Sequence, residues 1–135
     1  MCIENTIMNT LNVFTADSAF CVNAINYDER SFGNIYIEMH SCNQVGVRII
    51  NDRGVFWCEV GKSGEWHFIE DVFKVFDIEI KSVSLDFIAY LIETANLLNT
   101  NIDKVHQAFD DENIEVTKAK VKAIAIKRVA ENFSG

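Results

Sequence analysis

Residues 45–76, VGVRIINDRGVFWCEVGKSGEWHFIEDVFKVF, read as two linked β-hairpins that run into a short helix. Apolar residues alternate with small or polar residues along much of this stretch, which is the two-residue period of a half-buried strand. Gly54 and Gly64 lie in the two short breaks, where glycine adopts a positive φ without steric cost. The pattern predicts strands that begin near Val45, Val55 and Glu65, followed by a helix over residues 70–76.

Apolar periodicity assigns the rest of the chain. Residues 3–14 carry apolar side chains at helical spacing, and the alternation over residues 32–40 predicts a strand. Ser84 is expected to cap a helix. The alternation over residues 78–83 is ambiguous and could form a further strand. The remaining predicted elements are a strand over residues 19–25 and helices over residues 85–98, 102–109 and 117–133.

The connections between the predicted strands are short enough for hairpins, which favours antiparallel pairing. The sequence therefore predicts an α+β fold, with an antiparallel sheet of about five strands, an N-terminal helix and C-terminal helices packed on the sheet. A chain of 135 residues is the size of one domain, so residues 1–135 are interpreted as a single domain.

The chain is acidic, with 20 Asp and Glu against 12 Lys and Arg and a net charge of −8. This charge argues against a general nucleic-acid binder, which needs a basic face to neutralise phosphates. It permits a basic partner, although solubility is the simpler explanation. The basic residues concentrate in residues 117–135, where Glu131 is the only acid, and we interpret this segment as a solvated basic helix.

The four cysteines, Cys2, Cys21, Cys42 and Cys58, form no C-x-x-C pair. No Lys or Arg precedes Arg30, so a secretory signal is not expected, and there is no apolar run of about 18 residues that would predict a membrane span. Free thiols in a reducing cytoplasm are therefore expected. A disulfide between Cys42 and Cys58 is the less favoured alternative.

Metal, cofactor and phosphate chemistry has little support in the sequence. His40, His67 and His106 each lack a second His or Cys at a ligand spacing, so no metal or cofactor is expected. The glycines at 61 and 64 mark a turn rather than a phosphate-binding loop, since a hairpin follows instead of a helix. A Cys–His pair formed by Cys58 with His40 or His67 stays open, although strand cysteines are usually buried hydrophobic residues.

Residues 101–133 outline two helices around a short connection, which is the silhouette of a helix-turn-helix. The acidic residues of that connection and of the start of the second helix would lie where phosphates approach. They would repel DNA, so this interpretation is disfavoured; the residues concerned are Asp110, Asp111, Glu112 and Glu115.

Trp57 and Trp66 lie on successive predicted strands among several carboxylates. One interpretation is a core tryptophan with a solvated acidic rim. The functional interpretation is an aromatic anchor inside an acidic patch, because aromatic residues supply binding energy and charges steer a basic partner. The predicted partner-binding residues are Asp28, Glu29, Glu59, Glu65, Trp66, Glu70 and Asp71.

The segment GVFWCEVGKSGEWHFIEDVFKVF resembles hairpin-then-helix segments of the immunity proteins in bacterial contact-dependent inhibition and related polymorphic-toxin systems. The resemblance also covers the type of chain, a short acidic cytoplasmic α+β domain without a catalytic motif. It implies a non-enzymatic protein that binds a cognate toxin domain, for example a basic nuclease, and blocks its activity. The alternatives are a small acidic secretion or folding chaperone, an enzyme of unrecognised type and a transcriptional regulator, and the oligomeric state is left open.

Overall fold

The computed structural model describes residues 20–28, 34–41, 43–81 and 86–134, with side chains described within residues 34–132. Strands and helices follow one another in two blocks, so the fold is α+β, as predicted; the predicted helix over residues 3–14 lies outside the described residues. The strands are β1 (Phe20–Asp28), β2 (Asn34–Ser41), β3 (Gly46–Asp52), β4 (Val55–Lys62) and β5 (Glu65–Phe68). The helices are α1 (Ile69–Val75), α2 (Phe87–Thr100), α3 (Ile102–Ala108) and α4 (Ile114–Ser134).

The described strands form one antiparallel sheet in the order β1-β2-β3-β4-β5. Two-residue turns join the last three strands. Arg53 and Gly54 have φ of 54° and 84°, and Ser63 and Gly64 have φ of 58° and 83°. Two successive positive φ angles are typical of type I′ turns, whose twist matches that of the flanking strands. Both predicted hairpins are therefore confirmed.

One face of the sheet forms the core. Ile37, Ile49 and Cys58 face one another across three strands and are at most 1% exposed. The helices cover this face, and Tyr90, Leu98 and Phe109 belong to the same buried cluster. On the opposite face, the row Glu38, Arg48, Glu59 and Phe68 is only half-buried or exposed. The alternation of β2, with Ile35, Ile37 and Met39 turned inward, is as predicted.

The start of α2 differs from the prediction. The helix begins at Phe87 rather than at residue 85, and its cap is Asp86 rather than Ser84. Asp86 Oδ1 accepts hydrogen bonds from the backbone N–H groups of Ile88 at 3.0 Å and Ala89 at 3.3 Å. A carboxylate caps two free N–H groups and also carries the charge that the helix dipole favours, which explains the choice of Asp86.

The start of α4 also differs from the prediction, because the helix begins at Ile114 rather than at residue 117. The acidic connection before it folds as a hydrogen-bonded turn. Asp110 Oδ1 accepts from the Asn113 N–H at 2.8 Å, and the Asp110 carbonyl accepts from the Ile114 N–H at 2.9 Å. The aspartate thus initiates the helix three residues early.

The possible strand over residues 78–83 is not formed in its described part, because residues 78–81 pair with no described strand. Ile78 and Ile80 are half-buried and pack against the core, whereas Glu79 and Lys81 are exposed. The alternation in the sequence therefore reflects an extended segment that packs one side against the hydrophobic core.

Candidate partner-binding groove

An open groove of about 590 Å³ lies between the β4–β5–α1 segment and α4. Its walls combine apolar surface with charged side chains of both signs. Trp66 and Phe68 contribute aromatic surface from β5, and Val121 and Ala125 contribute apolar surface from α4. The charged residues that line it are Glu59, Glu65, Asp71, Glu115, Lys118, Lys122 and Arg128. Four of the seven predicted partner-binding residues, Glu59, Glu65, Trp66 and Asp71, are therefore brought together here.

Two ion pairs cross this groove and connect α4 to the rest of the domain. Lys118 Nζ lies 2.9 Å from Glu65 Oε2, and it also pairs with Glu115 at 3.3 Å. Arg128 pairs with Asp71 at 3.0 Å. Ten residues of helix separate the two cations, a rise of about 15 Å. The two ion pairs are therefore about 15 Å apart along the helix, and this distance is the length of the groove between them.

The Asp71 carboxylate is buried rather than part of an acidic surface. The residue is 2% exposed, and Arg128 binds both of its oxygens, from Nε at 3.1 Å and from Nη2 at 3.0 Å. The guanidinium group also lies 5.1 Å from the centre of the Phe68 ring. The hydrogen bonds from Arg128 to Asp71 raise the pKa of the guanidinium. Asp71 is thus an anchor for α4, and it is not accessible to a partner.

Trp66 is held in place on the open face of the sheet. The Arg48 guanidinium lies 3.8 Å from the centre of the Trp66 ring, a close cation–π contact. Gly46 leaves room for the indole, because a Cβ at that position would lie 2.6 Å from its outer edge. Arg48 also pairs with Glu38 at 3.6 Å and with Glu59 at 3.5 Å. Glu59 is therefore neutralised within the domain, and Trp66 is half-buried against the Arg48 guanidinium.

Glu70 faces away from the groove, toward the core helix α2. The Tyr90 hydroxyl donates to Glu70 Oε1 at 2.7 Å and accepts from the Cys58 N–H at 3.2 Å. Burial is the main reason that the pKa of Tyr90 is raised. Glu70 lines a separate cavity, together with Lys74, Asp77 and the extended segment after α1.

Asp28 lies away from the groove. Asp28 is the last residue of β1, and Glu29 lies outside the described residues. Since β1 and β5 are at opposite edges of the sheet, about 19 Å of strand spacing separates them. The predicted set therefore divides into a groove group, Glu70 on another surface, and Asp28 at the far edge.

The structure does not bring Cys58 and His40 together. Cys58 is buried on the core face, where burial strongly raises the pKa of its thiol, and His40 is exposed on the opposite face. His67 shares the core face, and its ring lies 6.3 Å from that of Phe109. Burial lowers the pKa of the His67 imidazole. The Cys58 thiol is buried and free.

A serine–histidine contact was not predicted. His106 Nε2 lies 2.8 Å from Ser41 Oγ, joining α3 to the end of β2. Ser41 is 1% exposed, so the pair fastens a helix to the sheet. The two residues are 65 positions apart, and no local pattern in the sequence connects them.

No family model, curated protein or solved structure matches the chain.

Two further findings apply to the part of the chain that the structure describes. No three His, Cys, Asp or Glu side chains gather there as a possible metal site. Within the same ranges, no helix is both long enough and apolar enough to cross a membrane.

The sequence did not indicate the cations that pair with the predicted acidic patch. Arg48, Lys118 and Arg128 neutralise Glu59, Glu65 and Asp71, respectively. The concentration of positive charge in residues 117–135 was the available signal, but a charge run does not identify which carboxylate each lysine or arginine meets. The groove consequently carries nearly balanced charge instead of the free negative charge that was expected.

Proposed function

We propose that this protein is an immunity protein, a non-catalytic inhibitor that binds and neutralises a cognate bacterial toxin domain. The observation that supports the proposal is the groove between β5 and α4. The groove has a volume of about 590 Å³ and is lined by two aromatic side chains, Trp66, which is half-buried, and Phe68, which is 40% exposed. Concave, mostly apolar sites with a few placed charges are the surfaces on which anchor residues of a partner gain binding energy.

The charged side chains of the groove and the net charge of the whole protein have different effects on binding. The carboxylates of the groove are largely paired within the domain, so they position Trp66 and α4 more than they attract a ligand. The net charge of −8 still produces a negative field around the protein. Such a field accelerates encounter with a basic protein, for example a nuclease domain, while the groove supplies the short-range contacts.

The second candidate function is a small secretion or folding chaperone. It is favoured by exposed apolar side chains on α4, where Val116 and Ile126 are 56% and 60% exposed. A chaperone of this kind is expected to form a stable homodimer and to bind an extended or partly folded client. A toxin inhibitor is expected to bind one folded domain with high affinity.

The first experiment is affinity capture from the source cells with tagged wild-type protein, followed by identification of the captured protein. We expect one basic protein whose expression alone stops growth and whose co-expression with this protein restores it. Ala125→Arg places a long side chain in the groove and should abolish both capture and rescue. Asn96→Arg, at an exposed position of α2 outside the groove, is the matched control and should retain both.

The alternative outcomes lead to different conclusions. If Ala125→Arg is folded and still captures and neutralises the toxin, the groove is not the binding site. If the captured protein is not toxic and this protein is a stable dimer, the chaperone function replaces the inhibitor function. If a folded monomer captures nothing, the immunity proposal fails.

A further inference from the structure

The outer side of α4 carries an apolar stripe that no described residue covers. It consists of Val116, Ala119, Ala123, Ile126 and Ala130, all exposed and spaced alternately by three and four residues. At about 100° per residue, this spacing places the five side chains along one narrow face of the helix. The two largest of them, Val116 and Ile126, are more than half exposed. The same spacing is the seam of a two-helix contact.

The opposite side of α4 already holds the helix to the domain. Thr117 and Val121 are 5% and 2% exposed, and Arg128 binds Asp71 on this side. Thr117 Oγ1 also donates to the Ala108 carbonyl at 2.6 Å. A single surface helix normally needs one apolar face, which packs against its own domain. The stripe is a second apolar face, and the packing of the domain does not require it.

The charges beside the stripe specify the occupant. Lys120 and Lys127 flank it on one side, and Lys122 and Glu115 flank it on the other. Glu115 pairs with Lys118 at 3.3 Å, whereas the three flanking lysines form no ion pair with a described residue. A second copy of the helix would place Lys122 near Lys127 in a parallel arrangement and Lys120 near Lys127 in an antiparallel arrangement, and both contacts are unfavourable. Carboxylates at the flanking positions of a partner helix would pair with all three. Charge complementarity therefore favours a different, acidic protein over a second copy of this chain.

We propose that the stripe and its three flanking lysines form a docking surface for an acidic amphipathic helix of another protein. The occupant carries apolar residues at alternating spacings of three and four, with Glu or Asp on both sides. Ala119 and Lys122 border both this surface and the groove, whereas Val116 and Ile126 do not line the groove. Val116 and Lys120 also border a separate shallow cavity beside α1 and α3. The inference does not depend on the proposed inhibitor function.

A synthetic peptide of the length of α4 provides a direct probe. It carries Leu at the seam positions and Glu at the flanking positions, and a second peptide carries Lys in place of every Glu. We expect fluorescence anisotropy to show that the Glu peptide binds the full-length protein about tenfold more tightly than the Lys peptide, since several flanking pairs of a few tenths of a kcal/mol each add up to this ratio. Added salt should reduce the difference.

Variants of the flanking lysines and of Ile126 test whether the peptides bind at this surface. Lys120→Glu with Lys127→Glu should reverse the preference between the two peptides, and Ile126→Ser should weaken both. Lys74→Glu with Lys81→Glu changes the net charge by the same amount at exposed positions away from the stripe, and should leave the preference unchanged. Ala125→Arg, which fills the groove, should also leave peptide binding unchanged, so the two surfaces can be tested separately.

Four results would overturn the proposal: equal affinity for the two peptides, an equal effect of the control lysine pair, peptide binding that Ile126→Ser does not weaken, or a homodimer that Ile126→Ser dissociates. Vesicles containing phosphatidylserine provide the remaining comparison. Binding to these vesicles through Lys120 and Lys127, without binding to the Glu peptide, would make the stripe a membrane-surface helix and would also overturn the proposal.

Discussion

Arg128 and Asp71, 57 positions apart, form a two-point clamp between α4 and α1, with Nε donating to Oδ1 at 3.1 Å and Nη2 donating to Oδ2 at 3.0 Å. The clamp is important because the second half of α4 has little other burial: none of residues 122–132 is buried. The carboxylate is almost inaccessible to water, whereas the guanidinium is about one-third exposed. Asp71 therefore depends on Arg128 for compensation of its charge.

Removal of Arg128 is expected to destabilise the protein strongly. Arg128→Ala leaves the Asp71 carboxylate buried without a counter-charge, and we expect a loss of about 3 kcal/mol in the free energy of unfolding. Lys127→Ala, at the exposed neighbouring position, should change it by less than about 0.5 kcal/mol. Urea denaturation followed by circular dichroism measures both. The clamp would have no energetic role if the two variants had equal stability.

The hydroxyl group of Tyr90 is expected to stabilise the folded protein. Tyr90→Phe removes the acceptor of the buried Cys58 N–H and the donor to Glu70. An unsatisfied buried N–H costs about 1–3 kcal/mol, so the urea midpoint should fall clearly. Tyr36→Phe removes a hydroxyl that donates to the part-exposed Glu38, and it should cost about 0.5 kcal/mol. Equal losses in the two variants would contradict the bridging role of Tyr90.

Gly61 is expected to tolerate no side chain. A Cβ at this position would overlap the backbone carbonyl oxygen of Glu65, and the backbone of a hairpin cannot move away at low cost. Gly61→Ala should therefore cost about 3 kcal/mol or more. Gly54→Ala has open space around it and only the positive φ of 84° to accommodate, at about 1 kcal/mol. Thermal unfolding compares the two, and the prediction fails if Gly61→Ala is the milder change.

His67 is expected to make stability depend on pH. Burial lowers its pKa in the folded protein, and the smaller opposing effect of Glu65 does not cancel this shift. Between the folded pKa and the unfolded value of about 6.5, the unfolded chain binds more protons, so the contribution of neutral His67 to stability is lost as the pH falls through that window.

Urea midpoints measured from pH about 7.5 down to about 5.5 test this contribution. His67→Gln should reduce the fall in stability, because glutamine does not titrate. His40→Gln changes an exposed histidine on the other face of the sheet and should keep the wild-type profile. An unchanged profile in His67→Gln would show that the ring does not titrate differently in the folded state.

Cys58 is expected to be unreactive in the folded protein. The thiol is 1% exposed, and burial raises its pKa. In a variant with Ser at positions 2, 21 and 42, a thiol reagent should react with Cys58 at least about a thousandfold more slowly in buffer than in urea, because reaction requires unfolding or local opening. Rapid reaction in buffer would indicate an accessible thiolate and would favour a reactive role for Cys58.

Local features of the sequence were sufficient for most of the fold. The period-two alternation of β2 and the glycines of the two type I′ turns predicted the hairpins, because both depend on residues only a few positions apart. The errors occurred where two local signals competed. Ser84 and Asp86 both suit a helix cap, and the alternation of Ile78 and Ile80 suits a strand or an extended segment, so only packing could decide.

The candidate groove was partly predictable. Trp66, Glu59, Glu65 and Asp71 stand close together in the sequence and meet at one groove, because hairpins and the following helix keep sequence neighbours together in space. Asp28 was included on charge alone, and the strand order places it at the far edge of the sheet. A count of charges carries no information about strand order.

The sequence by itself determined the α+β class, the antiparallel hairpins and the approximate positions of the four described helices, because backbone conformation responds to side chains within a few residues. The tertiary structure decided which charges are free. It pairs Arg48 with Glu59 and Arg128 with the buried Asp71, and it leaves Lys120 and Lys127 without an ion pair to any described residue, beside an exposed apolar stripe. These outcomes depend on contacts between distant segments, whose geometry is set by core packing and not by local preference.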